Sequence, residues 1–169
     1  LPADYDRIRP ICEKYNLLLL EDAAQGFGGT LHNKRACSFG NISTTSFFPA
    51  KPLGCYGDGG AIFTDDEKLA TTISYICVHG KGGEDKYKNI RLGMNSRLDT
   101  LQAAILIPKL KAFKEYELDK VNEAAETYTI LLQDVRLELT VPAVAYEYRS
   151  SWAQYTIHLP KVVNRESMR

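Results

Sequence analysis

The chain has 169 residues, 44% hydrophobic and 25% charged, and its 21 Lys and Arg balance 21 Asp and Glu. Roughly one domain's worth of chain without net charge excludes the basic surplus of a nucleic-acid binder and the composition of a disordered segment. No apolar run approaches the roughly 20 residues of a membrane span, and no secretory signal opens the chain. Cys12, Cys37, Cys55 and Cys77 are scattered without zinc spacing, and His32, His79 and His158 form no metal pattern. The expectation is a metal-free protein of a reducing cytoplasm.

Helical material is already under way at residues 6–15, the first residue is Leu1, and residues 164–169 read as a helix just begun, with Asn164 as N-cap. These ends predict a piece of a longer protein. Residues 16–21, a short apolar run behind the first helix, predict a strand buried on both faces, as in parallel sheets. Asp22 then stands at the strand's carboxyl end, the edge where open α/β sheets bind ligands. Residues 42–48 are rich in β-branched and aromatic side chains and predict a second strand. Pro49 and Pro52 stop it, which places Lys51 in a loop.

The glycine-rich stretch 54–60 turns the chain into a third strand at residues 61–64. Asp65 or Asp66 can then cap a helix running to about Val78, with Ile73, Ile76 and Cys77 on one face. Residues 80–93 mix Gly, Lys, Asp and Asn without periodicity and predict a mobile loop, whose Lys81, Lys86 and Lys88 could face an anionic substrate but are most simply solvated. From Asp99 to about Asp134 the pattern is helical, with an apolar stripe of Leu101, Ala104, Ile105, Leu110 and Phe113 and a kink at Pro108. Residues 142–150 read as a linker. Residues 151–159 alternate as a strand with Trp152 and Tyr155 on opposite faces, Trp152 in the core of a smaller lobe.

Three motifs carry chemistry: Glu21-Asp22-Ala-Ala-Gln25, Ser46-Phe-Phe-Pro-Ala-Lys51 and Gly57-Asp-Gly-Gly60. In this order and spacing, with Gly93-Met-Asn-Ser-Arg-Leu-Asp-Thr-Leu-Gln-Ala-Ala-Ile105 behind them, the chain resembles the DegT/DnrJ/EryC1/StrS sugar aminotransferases, which are pyridoxal-phosphate enzymes. The resemblance implies an α/β fold: the C-terminal part of an aspartate-aminotransferase-like large domain, with a mixed, mostly parallel sheet and flanking helices. The start of a small α+β domain would follow. Residues 1–115 would belong to the large domain, and 116–169 to a linking helix and part of the small one. The cofactor's phosphate cradle and its stacking ring would precede Leu1.

The same resemblance assigns roles. Lys51 would bond the cofactor covalently and carry the proton during transfer. Asp22 would keep the pyridine nitrogen protonated, Gln25 would bond the phenolic oxygen, and Ser46 the phosphate. Asn95 would reach the phosphate site of a neighbouring subunit, making a homodimer with shared sites. Each residue also has a plain structural reading: an exposed acid, a solvated Gln or Lys, a Ser capping its own strand end, a turn-forming Asn. Lys rather than His at position 51 favours transamination over dehydration. Cys55 reads as a small apolar filler, and the glycines at 57, 59 and 60 as permission for a tight turn.

The implied activity moves an amino group from an amino acid, L-glutamate by resemblance, to a nucleotide-linked keto-sugar. The chain looks closest to the branch acting on UDP-linked 3-keto-N-acetylglucosaminuronic acid. Arg97 could hold that sugar's carboxylate, or could instead pair with Asp99 or cap the following helix. The alternative is a non-catalytic fragment or relative kept for dimerisation or regulation. A generic nucleotide-binding domain fits less well, because no Walker-type loop and no G-x-G-x-x-G after a strand occur.

Overall fold

Asp4 accepts the Arg7 N–H at 3.2 Å and caps α1 (Tyr5–Lys14), fixing the start of the first helix in a computed structural model. The structure describes residues 1–82, 88–135, 138–161, 163 and 166. Lys86 of the 80–93 segment and the predicted cap Asn164 lie outside the described residues.

The strand expected at residues 16–21 is shorter and placed later. Only Leu20–Asp22 forms β1, and Leu18 is 84% exposed rather than buried. One residue earlier the chain is held by Asn41, whose Oδ1 accepts the Leu19 N–H at 2.8 Å and whose N–H donates to the Leu19 carbonyl at 2.8 Å. The apolar run therefore enters the ladder only at its last residue, Leu20, which pairs with Ile42. Leucine content alone does not bury a segment that has no neighbour on one side.

β4 (Ile42–Ser46) is the centre of a three-stranded sheet. It runs parallel to β1, with Asp22 opposite Thr44, and antiparallel to β5 (Gly60–Phe63), with Ser46 opposite Gly60. The parallel pairing brings the carboxyl ends of β1 and β4 to one edge, so Asp22 and Ser46 emerge side by side there. The sheet is mixed, as expected.

A second sheet was not legible beforehand. β2 (Thr30–Leu31) pairs with β3 (Lys34–Arg35) through a two-residue turn, and with β6 (Tyr148–Arg149) on its other side. His32 and Asn33 both take positive φ, at 48° and 62°, the geometry that lets a two-residue turn follow strand twist. Residues 148–149 fall inside the stretch read as a linker, so that reading is corrected: the backbone of β6 finds partners on β2.

α2 (Glu67–Cys77) is capped by Asp66, which accepts from the Lys68 and Leu69 N–H groups, as the sequence predicts. The described ends of the following segment are zipped together, with Lys81 bridging Asn89 and Val78 bridging Asn95. Gly80 sits at φ 76° where a Cβ would lie 1.8 Å from the Arg91 carbonyl oxygen, so only glycine lets the two backbones meet.

α3 (Thr100–Ala112), capped by Asp99, passes through Pro108 and continues into a π-helical turn, Phe113–Glu117, before α4 (Leu118–Gln133). The irregularity thus falls after the expected kink, at the π turn. The predicted apolar stripe is corrected in part, since of its residues Phe113 is buried as expected. Leu101 is 74% exposed and Leu110 is exposed, while Leu106 and Phe113 are buried. α3 is apolar nearly all round, so periodicity alone does not choose its inner face.

Phe47, Leu53, Cys55, Leu106 and Phe113 form one core cluster, with Phe27 edge-on to Phe47 at 6.2 Å. Tyr5, Leu31 and Phe39 form a second, the Tyr5 and Phe39 rings stacked at 4.4 Å. Residues 151–159 are not a regular strand. Trp152 turns the backbone at φ 46° and its ring stacks on Tyr155 at 5.3 Å, so the two lie together rather than on opposite faces. Among the described residues no helix is long and apolar enough to cross a membrane.

Candidate active site

Glu21 and Asp22 leave β1 toward opposite sides, as alternation along a strand requires. Glu21 is only 2% exposed, and its carboxylate accepts from the Cys37 N–H at 2.8 Å, the Phe39 N–H at 2.9 Å and the Ser43 hydroxyl at 2.8 Å. Three donors satisfy a buried carboxylate and pin residues 37–39 against the strand. Burial, reinforced by the Glu21 charge, pushes the Tyr5 phenol up to about 12 and the Cys37 thiol up to about 11.

Asp22 is exposed at the sheet edge, and its Oδ1 accepts the Ala24 N–H at 3.0 Å. This local turn orients the carboxylate, and Oδ2 has no hydrogen-bond partner among the described residues. Gln25 follows on the same turn with its side chain exposed, while its carbonyl accepts the Ser151 hydroxyl at 3.3 Å. Ser46 Oγ accepts the Phe48 N–H at 3.2 Å, the strand-end capping weighed for it, and this leaves its proton available for donation.

Lys51 sits at the tip of a loop closed at its base. The Cys55 N–H donates to the Phe47 carbonyl at 2.7 Å, and the Lys51 N–H to the Phe48 carbonyl at 2.9 Å. Gly54 turns so tightly that a Cβ would stand 2.6 Å from the Pro49 carbonyl oxygen. Cys55 is fully buried, its thiol near the Phe47 and Gly57 carbonyl oxygens at 3.0 and 3.1 Å, which fits a filler role. Lys51 is half-buried and lines a cavity of about 440 Å³ with Tyr116, Glu117, Lys120, Ser151 and Trp152. Its amine has no ion-pair partner among the described residues.

Asn95 and Arg97 stand apart from that cavity. Asn95 is exposed and bridges to Val78, and Arg97 lines a separate cavity of about 560 Å³ with Asp58, Gly59 and Ser96. No residue lines both cavities. Arg97 makes no ion pair with Asp99, whose carboxylate caps Leu101 instead. β1 and β4 end at one sheet edge, from which the Asp22–Gln25 turn and the Ser46–Lys51 loop both leave, and Ser151 links the two by lining the Lys51 cavity and bonding the Gln25 carbonyl; Arg97 shares its cavity with Thr44, Thr45 and Gly60 of β4 and β5.

Two contributors were not assigned to this region from the sequence. Trp152, read as core of another lobe, lines the lysine cavity, and Asn122 holds it there: the Trp152 Nε1–H donates to Asn122 Oδ1 at 3.1 Å, and Asn122 Nδ2 donates to the Ser150 carbonyl at 3.1 Å. Gln102 accepts the Tyr56 N–H just beyond the lysine loop. The one advance signal for Glu21 was its place between an apolar run and Asp22, where alternation turns it inward.

A lysine loop and a strand-end carboxylate both leave the carboxyl edge of a mixed sheet in this α/β protein. The chain belongs to the DegT/DnrJ/EryC1/StrS aminotransferase family, whose family model matches residues 1–169. It is 48% identical over 166 residues to the UDP-2-acetamido-2-deoxy-3-oxo-D-glucuronate aminotransferase of Pseudomonas aeruginosa, covering 98% of this chain and 44% of that protein. A DegT DnrJ EryC1 StrS aminotransferase from Brucella abortus has a similar fold, with TM-score 0.88, 48% identity, and coverage of 95% of this chain and 42% of that one. An E. coli GDP-4-keto-6-deoxy-D-mannose-3-dehydratase with bound hydrated PLP is similar at TM-score 0.84 and 25% identity, covering 99% of this chain and 46% of that one. The chain thus spans under half the length of these relatives, and its fold is the α/β arrangement of their family.

Proposed function

We propose that the protein is a pyridoxal-phosphate-dependent aminotransferase that moves an amino group from an amino acid, L-glutamate, to a keto-sugar carried on a nucleotide, for amino-sugar or surface-polysaccharide synthesis. The observation that supports the reading is the parallel pairing of β1 and β4, which makes the Asp22–Gln25 turn and the Ser46–Lys51 loop leave the sheet at the same edge. These residues fit the cofactor: Asp22 keeps one carboxylate oxygen unengaged, Ser46 keeps its proton, and Lys51 presents a half-buried amine in no ion pair with a described residue. Residues 1–115 form part of the cofactor-binding domain in this reading, and 116–169 the linking helix and part of the smaller domain.

Pyridoxal phosphate, when bound, supplies an electron sink for the carbon that gains or loses the amino group. Asp22 would hold the pyridinium charge, Gln25 would donate to the phenolic oxygen, and Ser46 to the phosphate. Lys51 would tether the cofactor and carry a proton between the substrate carbon and the cofactor's C4′ atom. Trp152 and Tyr116 line the cavity that the amine shares.

The protein acts as a cytoplasmic homodimer in this reading, with Asn95 completing the partner's phosphate site. The placement of Arg97 in a cavity separate from its own Lys51 supports service across a shared site. Its guanidinium would then take the carboxylate of UDP-linked 3-keto-N-acetylglucosaminuronic acid by two parallel hydrogen bonds. The test follows the visible absorbance of the cofactor-loaded, full-length protein as L-glutamate and then the keto-sugar are added. Glutamate should bleach the band and the uronic keto-sugar should restore it with release of an amino-sugar. Arg97→Lys should lose preference for the uronic over the neutral sugar by about 1–3 kcal/mol. Equal use of both sugars by the wild type removes the uronic assignment, and no response to any amino donor removes the aminotransferase.

A further inference from the structure

The turn after the lysine loop is tied to α3 by a side chain to which the chemistry above gives no role. Gln102 Oε1 accepts the Tyr56 N–H at 2.8 Å, and its Nε2 lies so close to Gly57 that a Cβ built there would stand 3.1 Å away. Gln102 lies one helical turn before Leu106 on the inward face of α3, and Leu106 packs with Phe47, Leu53 and Cys55. Those three residues are the base and flank of the loop that carries Lys51.

The loop's ends are fixed to each other at Phe47 and Cys55, by the 2.7 Å bond from the Cys55 N–H to the Phe47 carbonyl. A loop closed this way keeps its internal shape, but its tilt depends on what holds the chain on either side. On one side Phe47 continues from β4. On the other stands Tyr56, tied to α3 by its backbone bond to Gln102 and, at its largely exposed ring, by the Lys109 amine 5.4 Å from the ring centroid. The contact also joins the loop to the segment of Asn95 and Arg97, because α3 begins at Thr100, three residues after Arg97, with Asp99 as its cap.

We propose that Gln102 is a positioning residue: through the Tyr56 N–H it fixes where the Lys51 loop sits against α3, and so how the Lys51 amine is presented to the cofactor. The proposal rests on the cofactor reading of Lys51. The bond needs an acceptor at position 102, not an amide as such. A glutamate there keeps an acceptor oxygen, whereas a methionine keeps the length of the side chain and loses it.

The experiment compares full-length wild type, Gln102→Met and Gln102→Glu. Without cofactor, amide exchange at residues 55–57 should be about tenfold faster in Gln102→Met than in wild type, the scale of one lost hydrogen bond, and near wild type in Gln102→Glu. With pyridoxal phosphate and L-glutamate, Gln102→Met should lose at least about tenfold in kcat with KM for the amino donor within about twofold, because misplacement of a reacting group costs chiefly the chemical step. Gln102→Glu should recover most of that kcat. Unchanged exchange in Gln102→Met, a kcat within twofold of wild type, or a Gln102→Glu variant as slow as Gln102→Met each overturns the proposal. A wild type that forms no visible band refutes the cofactor reading instead, and with it the catalytic half of the proposal, while the exchange data still decide whether Gln102 holds the turn.

Discussion

The Ser151 hydroxyl donates to the Gln25 carbonyl oxygen at 3.3 Å, joining two residues 126 positions apart. Ser151 lines the Lys51 cavity, and Gln25 ends the turn begun by Asp22, so this bond ties the chain's later segment to the acid side of the site. The pairing of β6 with β2 delivers that segment, since residues 148–149 immediately precede it. The wall of the lysine cavity is thus built from three separate stretches of chain, around residues 50–52, 113–124 and 151–153.

Asp22→Asn should separate chemistry from folding. Asn keeps an oxygen for the Ala24 N–H, and the side chain is exposed, so stability should change by less than about 0.5 kcal/mol. Turnover should fall by about 100-fold or more, because the charge opposite the pyridinium is gone. Urea unfolding and amino-transfer rates measured on the same preparation check both parts, and wild-type rates would assign Asp22 another role.

Glu21→Gln should do the reverse. Its carboxylate accepts three hydrogen bonds in a site closed to water, and an amide must present N–H groups to at least one of those donors. The expected loss is about 3 kcal/mol of folding stability, the scale of a broken buried charged network. A urea midpoint equal to wild type would show that the 37–39 loop does not depend on the carboxylate.

Much of this was legible in advance and some was not, for physical reasons. α2 announced itself because Asp66 stands directly before an amphipathic run, and Lys51 because two prolines leave a strand no way to continue. Asp22 was legible because an acid at the end of an apolar run has few other places to be. The turn at His32 and Asn33 lacked the glycine that usually marks such geometry, and β6 is two residues long, so neither left a pattern to read. Trp152 and Gln102 were hidden differently. Their roles come from contacts with Asn122 and Tyr56, 30 and 46 residues away, which no local pattern encodes.

Alkaline pH should weaken the fold through Tyr5 and Cys37. Both groups are neutral when protonated, and burial holds their protons to about 12 and about 11 in the folded chain. From about pH 9 upward the unfolded chain releases protons that the folded chain keeps, so stability falls as pH rises through that window. The urea midpoint of wild type should therefore drop between about pH 8 and pH 11, and Tyr5→Phe should drop less steeply. A midpoint that rises over this range, or an equal slope in the variant, contradicts the burial assigned to Tyr5.

The central claim is that Lys51 is the residue that bonds the cofactor, and the visible absorbance of the full-length protein mixed with pyridoxal phosphate tests it most directly. Wild type should develop a band that borohydride reduction fixes to the peptide carrying Lys51. Lys51→Ala should show neither the band nor the labelled peptide, and its amino transfer should be at least about 1,000-fold slower, within the range lost with a catalytic proton carrier. A Lys51→Ala protein that keeps the band, or a label that maps to another lysine, would contradict the account.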